Sequence, residues 1–256
     1  QPHVVAIVQG RMTSSRLPGK ILADLGGKPM LAHVVERVRL AKSVHHVVVA
    51  TTTDASDDPA AEFCRREGYD CFRGSLFDVL DRFYQAARTY RADVIVRITA
   101  DCPLIDPLVI DQTVEAFFAH QVDFAANRLP PPWKRTFPIG LDTEVCTFDA
   151  LARAWREAHL PRHREHVMPY LYEEEGRFRS LVIHHEPDYG HLRWTVDTAE
   201  DLEFVRRIYA HFNGRDDFSW LEVLALIEQH PELSQINAHV KHKTYQDTEL
   251  NNDIGI

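Results

Sequence analysis

The sequence is poor in the features that mark several simple functional classes. Its four cysteines, Cys64, Cys71, Cys102 and Cys146, form no C-x-x-C pair and no dense spacing. That speaks against a disulfide framework or a cysteine zinc site, and it leads to the expectation of a reducing, cytoplasmic setting. No apolar run approaches the roughly eighteen residues of a membrane span, and the first run, Val4 to Val8, is too short for a signal segment. Excess positive charge is missing too. With a formal net charge of −9, the chain does not have the basic balance that neutralises nucleic-acid phosphates. No G-x-G-x-x-G follows a strand, which argues against hydride transfer from a dinucleotide. His163 with His166, and His184 with His185, lack the third ligand and the helical spacing of a zinc hydrolase.

What remains is the composition of an ordinary globular protein. At 256 residues and 45% apolar content, the chain can bury a large core as one α/β domain with a smaller subregion. The runs "VVAIV", "VHHVVVATT", "DCFRG", "DVIVRIT" and "DFAAN" read as strands, and segments with helical spacing of apolar residues separate them. Asp58 followed by Pro59 reads as a helix start and Gly68 as its end. This regular alternation predicts a mostly parallel central sheet with helices on both faces. After Asn127 the rhythm breaks at "RLPPPWKRTFPIGLDTEV", and residues 127–190 are expected to form an inserted acceptor-binding or oligomerisation subregion. Helices are expected near Asp149 to His159, Arg162 to Glu175 and Ala199 to Phe212, with two more over "SWLEVLALIEQH" and "PELSQINAHV". The strand "LRWTV" is expected to return to the main sheet. The domain is expected to end near residue 240, and 241–256, without apolar periodicity, to form a mobile tail or a domain-boundary remnant.

The first strand runs into "GRMTSSRLPGK", where Gly10 and Gly19 flank Thr13, Ser14, Ser15 and the cations Arg11, Arg16 and Lys20. An α/β sheet binds ligands beyond its strand ends, and this mixture of small residues, hydroxyls and cations suits a polyphosphate. Glycine lets the backbone approach the phosphates, while the cations stabilise charge that grows on a leaving pyrophosphate. The loop is not a Walker A motif. Eight residues separate the two glycines, and Ile21 follows Lys20 where a serine or threonine would hold the metal.

The motifs "GRMTSSRLPGKIL" and "GGKPML" resemble the opening signature of bacterial sugar-acid cytidylyltransferases, the ketodeoxyoctonate enzymes among them. Further along, "FRGSLFDVLDRF", "VRITADCPLIDP", "RTFPIGLDTEV", "REHVMPYLYEE" and "RWTVDTAEDLE" are similar to the spore-coat polysaccharide type, so the resemblance spans about Val4 to Asn237. It implies a nucleotide-diphospho-sugar transferase type of fold, with CTP as cosubstrate and Mg²⁺ as cofactor. By the same pattern Asp101 and Asp197 are the metal carboxylates, and Gly10, Arg11, Ser14, Ser15, Arg16, Lys20, Arg73 and Ala100 with Asp101 hold the nucleotide. Lys20, Arg16, Asp101 and Asp197 are the expected catalytic set. Two carboxylates suit Mg²⁺, which takes hard oxygen ligands and keeps water and phosphate oxygens around itself. On residue type alone, Asp101 and Asp197 also read as turn or helix-cap aspartates, while Asp106, Glu200 and Asp201 rank below them as metal ligands.

Asn127, Arg135, Asp142 and Glu144 in the proline-rich stretch, with Arg164 and His166 of "REHVMPY", are the acceptor-side candidates. The expected reaction is transfer of CMP from CTP to a small acidic acceptor. The acceptor stays open among a sugar acid for surface polysaccharide synthesis, a sugar or polyol phosphate, and a phosphonate. Two other classes are set against it. A glycosyltransferase of related fold would carry a D-x-D motif, which "DCPLID" is not, and a nucleotide-binding scaffold would bind without turnover. The resemblance also implies a homodimer, with no nucleic-acid or membrane partner.

Overall fold

The computed structural model describes residues 1–244. Its frame is a seven-stranded sheet of order β5-β4-β1-β6-β8-β7-β9. The strands are β1 (Val4–Gln9), β4 (His46–Thr52), β5 (Asp70–Gly74), β6 (Val94–Thr99), β7 (Phe124–Ala126), β8 (Glu144–Thr147) and β9 (Ser180–Val182). A separate antiparallel pair joins β2 (Asp24–Leu25) to β3 (Lys28–Pro29). In the main sheet only β8 runs against its neighbours β6 and β7, so the sheet is mostly parallel, as the alternation predicts.

Every residue from Val4 to Val8 is buried, and the strand period divides them between two cores. Val4, Ala6 and Val8 face α1 (Met30–Arg39), α2 (Asp58–Glu67), α4 (Pro107–Ala119), α8 (Ala199–His211) and α9 (Trp220–Gln229). Val5 and Ile7 face α3 (Val79–Thr89), α5 (Phe148–Glu157) and the short α7 (Pro169–Tyr172). A sheet buried on both faces has only its strand ends and edges left for chemistry. The parallel strands β5, β4, β1 and β6 all end on the same side, and the loops leaving them build the site.

Several local expectations are corrected. Asp57 takes the cap position of α2, and Asp58 is its first residue. The helix expected from Arg162 to Glu175 is broken into α6 (Pro161–His166) and α7, because Val167 has a φ of +71° and Pro169 has no N–H for the ladder. "LRWTV" forms no strand. It makes one isolated bridge, Arg193 with Ile139, secured by Trp194 N–H donating to the Ile139 carbonyl at 2.7 Å. Of "PELSQINAHV", only α10 (Glu232–Gln235) is helical. The segment expected as a tail begins within the described residues, where Arg193 donates to His242 Nδ1 at 3.2 Å. Positions 245–256 lie outside them.

Asp106 ties three elements together without solvent contact. Its carboxylate accepts from Leu108 N–H at 2.8 Å and Val109 N–H at 3.3 Å, capping α4, and from Trp220 N–H at 2.6 Å at the start of α9. The buried Arg37 guanidinium of α1 lies 3.8 Å away. Asp106→Ala strips two helix starts of their acceptor and leaves Arg37 without its counter-charge. Urea unfolding should therefore show a loss of about 3 kcal/mol. A loss below about 0.5 kcal/mol would contradict this account, since that is the range of ordinary surface substitutions.

Candidate active site

The loop after β1 begins at Gly10, where an added Cβ would come within 2.8 Å of the Ala100 Cβ. Only glycine lets the ends of β1 and β6 approach this closely, and the Ala100 N–H donates to the Gln9 carbonyl at 2.8 Å. The buried Asp57, from the loop after β4, accepts from Met12 N–H at 2.7 Å and from Thr52 Oγ1. Both sides of the loop's start are thus fixed to neighbouring strands, and its remaining residues turn over a cleft of about 710 Å³. Gly10, Arg11, Thr13, Ser14, Ser15 and Lys20 line that cleft, and Ala100 and Asp101 lie across from them at the end of β6.

Lys20 closes the far end of the loop. Its ammonium donates to Asp101 Oδ2 at 3.3 Å, Asp197 Oδ1 at 3.1 Å and the Val196 carbonyl at 3.0 Å. Two carboxylates nearly one hundred positions apart are therefore gathered around one cation. Burial alone would lower the Lys20 pKa, but Asp101 and Asp197 more than offset it and the net shift is upward. Burial likewise opposes the Asp197 charge, while Lys20 and Arg193 hold that carboxyl below its usual range. Arg16 adds a third cation, 3.5 Å from Asp197 Oδ2.

Neither aspartate is spent on a helix cap. Thr198 caps α8, and Asp201 completes its capping box. Asp201 is buried, forks Arg193 with two bonds of 2.9 Å and accepts from Asp197 N–H at 2.9 Å. Arg193 in turn reaches Asp197 Oδ2 at 2.8 Å. Asp201 therefore sets the direction of Asp197 through Arg193 and the backbone. The donor chemistry of Asp101 and Asp197 fits a divalent cation such as Mg²⁺, since both present hard oxygens within reach of one ammonium. Among the described residues, no group of three His, Cys, Asp or Glu side chains could hold a metal alone. A bound ion would draw its other ligands from nucleotide and water.

A second cleft, of about 570 Å³, opens beside the first on the β8 side, and Arg97, Asp101 and His166 belong to the walls of both. Arg135 forks Asp142 at 2.5 and 3.2 Å, and Arg128 reaches the same carboxylate at 2.9 Å. Burial opposes the charge on Asp142, but Arg135 and Arg128 hold it ionised, well below the usual carboxylate range. Arg97 spans 2.5 Å to Glu144 and 3.1 Å to the Gln9 side chain, linking this cleft to the first strand. Trp133 stands edge-on to Tyr172 in the outer wall, with ring centroids 5.7 Å apart.

The structure brings most of the predicted residues together and sends a few elsewhere. Arg135, Asp142, Glu144 and His166 line the second cleft, but Asn127 does not. Asn127 is buried, donates to the Leu141 carbonyl at 2.7 Å and accepts from Thr143 N–H at 2.9 Å, so its amide braces the backbone beneath the cleft. Arg73 turns away from the first cleft to the Thr52 and Asp54 carbonyls and to Asp58 at 2.8 Å. Arg164 lines the first cleft instead of the second, with its guanidinium forked onto Asp78 at 3.0 and 2.8 Å.

The sequence model of the cytidylyltransferase family matches residues 5–239. The chain belongs to that family. Among its relatives, the spore coat polysaccharide biosynthesis protein SpsF of Bacillus subtilis is 31% identical, with 90% of this chain and 95% of that protein covered. A 3-deoxy-manno-octulosonate cytidylyltransferase of Anaeromyxobacter dehalogenans is 41% identical, with 81% and 98% covered. A cytidylyltransferase structure from Leptospira borgpetersenii superposes with a TM-score of 0.86 at 35% identity, covering 94% of this chain and all of that one. The structure of a CMP:2-keto-3-deoxy-manno-octonic acid synthetase with CTP shares the fold, with a TM-score of 0.62 at 21% identity over 82% and 99% of the two chains.

Several side chains that shape this cytidylyltransferase's clefts were not singled out in its sequence. Arg97 carried a signal, as a lone charge in the otherwise apolar strand "VIVRIT". Arg82 carried another, because it shares a helical face with Val79, Phe83 and Ala86 and is buried with them. Burial and the nearby Arg11 push Arg82 down to about 10. His242 and Arg193 gave no comparable pattern.

His166 sits where the two clefts meet. Burial, then the Arg97 and Arg128 guanidiniums, push its imidazole from 6.5 down to about 4. It is therefore neutral near pH 7, and between pH 6.5 and 4 the unfolded chain takes up a proton that the native site refuses. Native stability should decline as the pH falls through that window, and His166→Gln should flatten the decline. Thermal unfolding across the range measures both slopes, and equal slopes would reject the assignment.

Proposed function

We propose that this cytidylyltransferase transfers CMP from CTP to a small acidic acceptor, with a sugar acid as the favoured class. One observation carries the reading: two clefts of similar size, one under a phosphate-type loop and one rich in arginine, share Arg97, Asp101 and His166. A reaction that joins two substrates needs such a boundary. The acceptor oxygen attacks the α-phosphorus, a new P–O bond forms there, any proton on that oxygen passes to water, and the bond to the bridging oxygen of pyrophosphate breaks in line with the attack.

The chain's own residues align the partners and stabilise charge. Arg11, Arg16, Lys20 and the loop hydroxyls take the polyphosphate, and Lys20 and Arg16 oppose the charge that develops on the leaving pyrophosphate. Asp101 and Asp197 would hold Mg²⁺, which supplies Lewis-acid stabilisation of phosphate oxygens when bound. Arg128 and Arg135 match an anionic group on the acceptor, and Trp133 offers an aromatic face to the apolar side of a sugar ring. The same guanidiniums would take a phosphonate, so an acceptor panel separates those cases. A homodimer is the proposed assembly, and sedimentation showing only monomers would reject that part.

Calorimetric titration with CTP, UTP, ATP and GTP, with and without Mg²⁺, tests the nucleotide half directly. We expect Mg²⁺-dependent preference for CTP, weakened in Lys20→Ala and Asp101→Asn. Pyrophosphate release with sugar acids, sugar phosphates and phosphonates then identifies the acceptor, and Asp101→Asn should lower kcat on the order of a hundredfold. A wild-type protein that binds no triphosphate, or variants that match it, would overturn the reading.

A further inference from the structure

Phe77 is the most exposed large apolar side chain among the described residues, with 83% of its surface free, and it stands in the wall of the cleft that also carries Arg11, Lys20 and Asp101. A phenyl ring in water is unremarkable on a floppy loop, but this loop is fastened on both sides of the ring. Arg82 donates to the Ser75 carbonyl at 2.9 Å and to the Leu76 carbonyl at 3.2 Å. Asp78 N–H donates to Ser75 Oγ at 3.0 Å, while its carboxylate accepts from Asp81 N–H at 3.0 Å and is forked by Arg164. Gly74 permits this packing, since a Cβ there would meet Arg82 Cγ at 2.9 Å. The burial of Arg82 and the two-bond grip of Arg164 therefore fix the backbone that carries the exposed ring.

That place is set by strand order. The ring follows β5, the edge strand, and β4 and β1 separate it from β6 with its Asp101. The loop after β1 holds the cations suited to polyphosphate, and the second cleft lies on the opposite side, beside β8. The α-phosphorus must lie where the two clefts meet. Toward β5 the first cleft offers Leu76, Phe77 and Val79, an apolar rim on which phosphates have no partner but a flat base does.

We infer that the Phe77 ring is the stacking platform for the pyrimidine base of the bound nucleotide, presented by a loop that Arg82 and Arg164 hold in position. The inference rests on the CTP reading above. A base stacked on a phenyl ring covers apolar surface on both partners, and it does so without distinguishing cytosine from uracil. Phe77 thus adds affinity for the nucleoside part and none for the polyphosphate part, and base choice falls to polar groups elsewhere in the cleft.

The test compares CTP with inorganic tripolyphosphate, both with Mg²⁺, on wild type, Phe77→Ala and Phe77→Trp. Phe77→Ala should bind CTP about tenfold more weakly, in the range of base–aromatic stacking, and tripolyphosphate as wild type does. Phe77→Trp should restore CTP affinity and show an indole fluorescence quenched by CTP but not by tripolyphosphate, beyond any change in wild type. Unchanged CTP affinity in Phe77→Ala, or equal weakening toward both ligands, would overturn the inference while leaving the CTP reading intact. So would a Phe77→Ala variant that changes only its sedimentation, which would place the ring in a subunit contact. A wild type that fails to bind CTP would overturn both.

Discussion

The site depends on the ammonium of Lys20. Asp101 and Asp197 leave different segments of the chain and carry like charges, and two carboxylates brought together in a partly buried space repel each other. The cation between them turns that repulsion into two ion pairs, and the Val196 carbonyl completes its coordination. Because Lys20 also closes the loop that begins at Gly10, the position of the loop and the spacing of the carboxylates are a single constraint. In the proposed reaction a divalent cation would meet the same electrostatic need, and its binding would free Lys20 to turn toward phosphate oxygens.

Around this point the protein uses a graded support. Asp201 is fully buried and has no access to ligand, yet it directs Arg193, which directs Asp197. Asp57 does the same for the beginning of the loop, and Asp106 for the helices behind it. Each of these acids accepts from backbone N–H, and Asp106 and Asp201 also face a guanidinium, so fixed dipoles carry much of their charge. Such partners cannot relax far, which keeps the exposed groups of the site in place.

The sheet was legible in the sequence because strand and helix periods alternate cleanly from Val4 to Ala126. The phosphate-type loop stood out by its mixture of glycines, hydroxyls and cations, whereas Asp101 and Asp197 were marked by the family pattern, since by residue type alone they also read as cap aspartates. Beyond residue 127 the reading weakened for physical reasons. Asn127 sits between the apolar strand "FAA" and the turn-forming "RLPPP", and nothing local reveals that its amide is spent on the backbone of Leu141 and Thr143. "LRWTV" has the composition of a strand, but after its bridge to Ile139 it runs to Asp101, where Val196 N–H meets the Asp101 carbonyl at 2.8 Å. Arg73 was expected at the nucleotide, and Arg82 was not singled out although it shares an apolar helical face. Only three-dimensional packing turns one toward Asp58 and buries the other beneath Ser75 and Leu76.

The bonds that orient Asp197 reach late into the chain. Asn237 donates to Asp201 at 2.9 Å and to the Arg193 carbonyl at 3.1 Å, and His242 accepts from the same arginine. The proposed phosphate loop and the brace for its opposing acid therefore lie far apart in the sequence. Shortening the chain to Gln235 would keep Lys20, Asp101 and Asp197 in the sequence but remove the partners that Asn237 and His242 give to Arg193. The direction in which Asp197 points thus rests on residues remote in sequence from the cleft it faces, so a lesion there would disturb alignment without touching any group that lines the cleft.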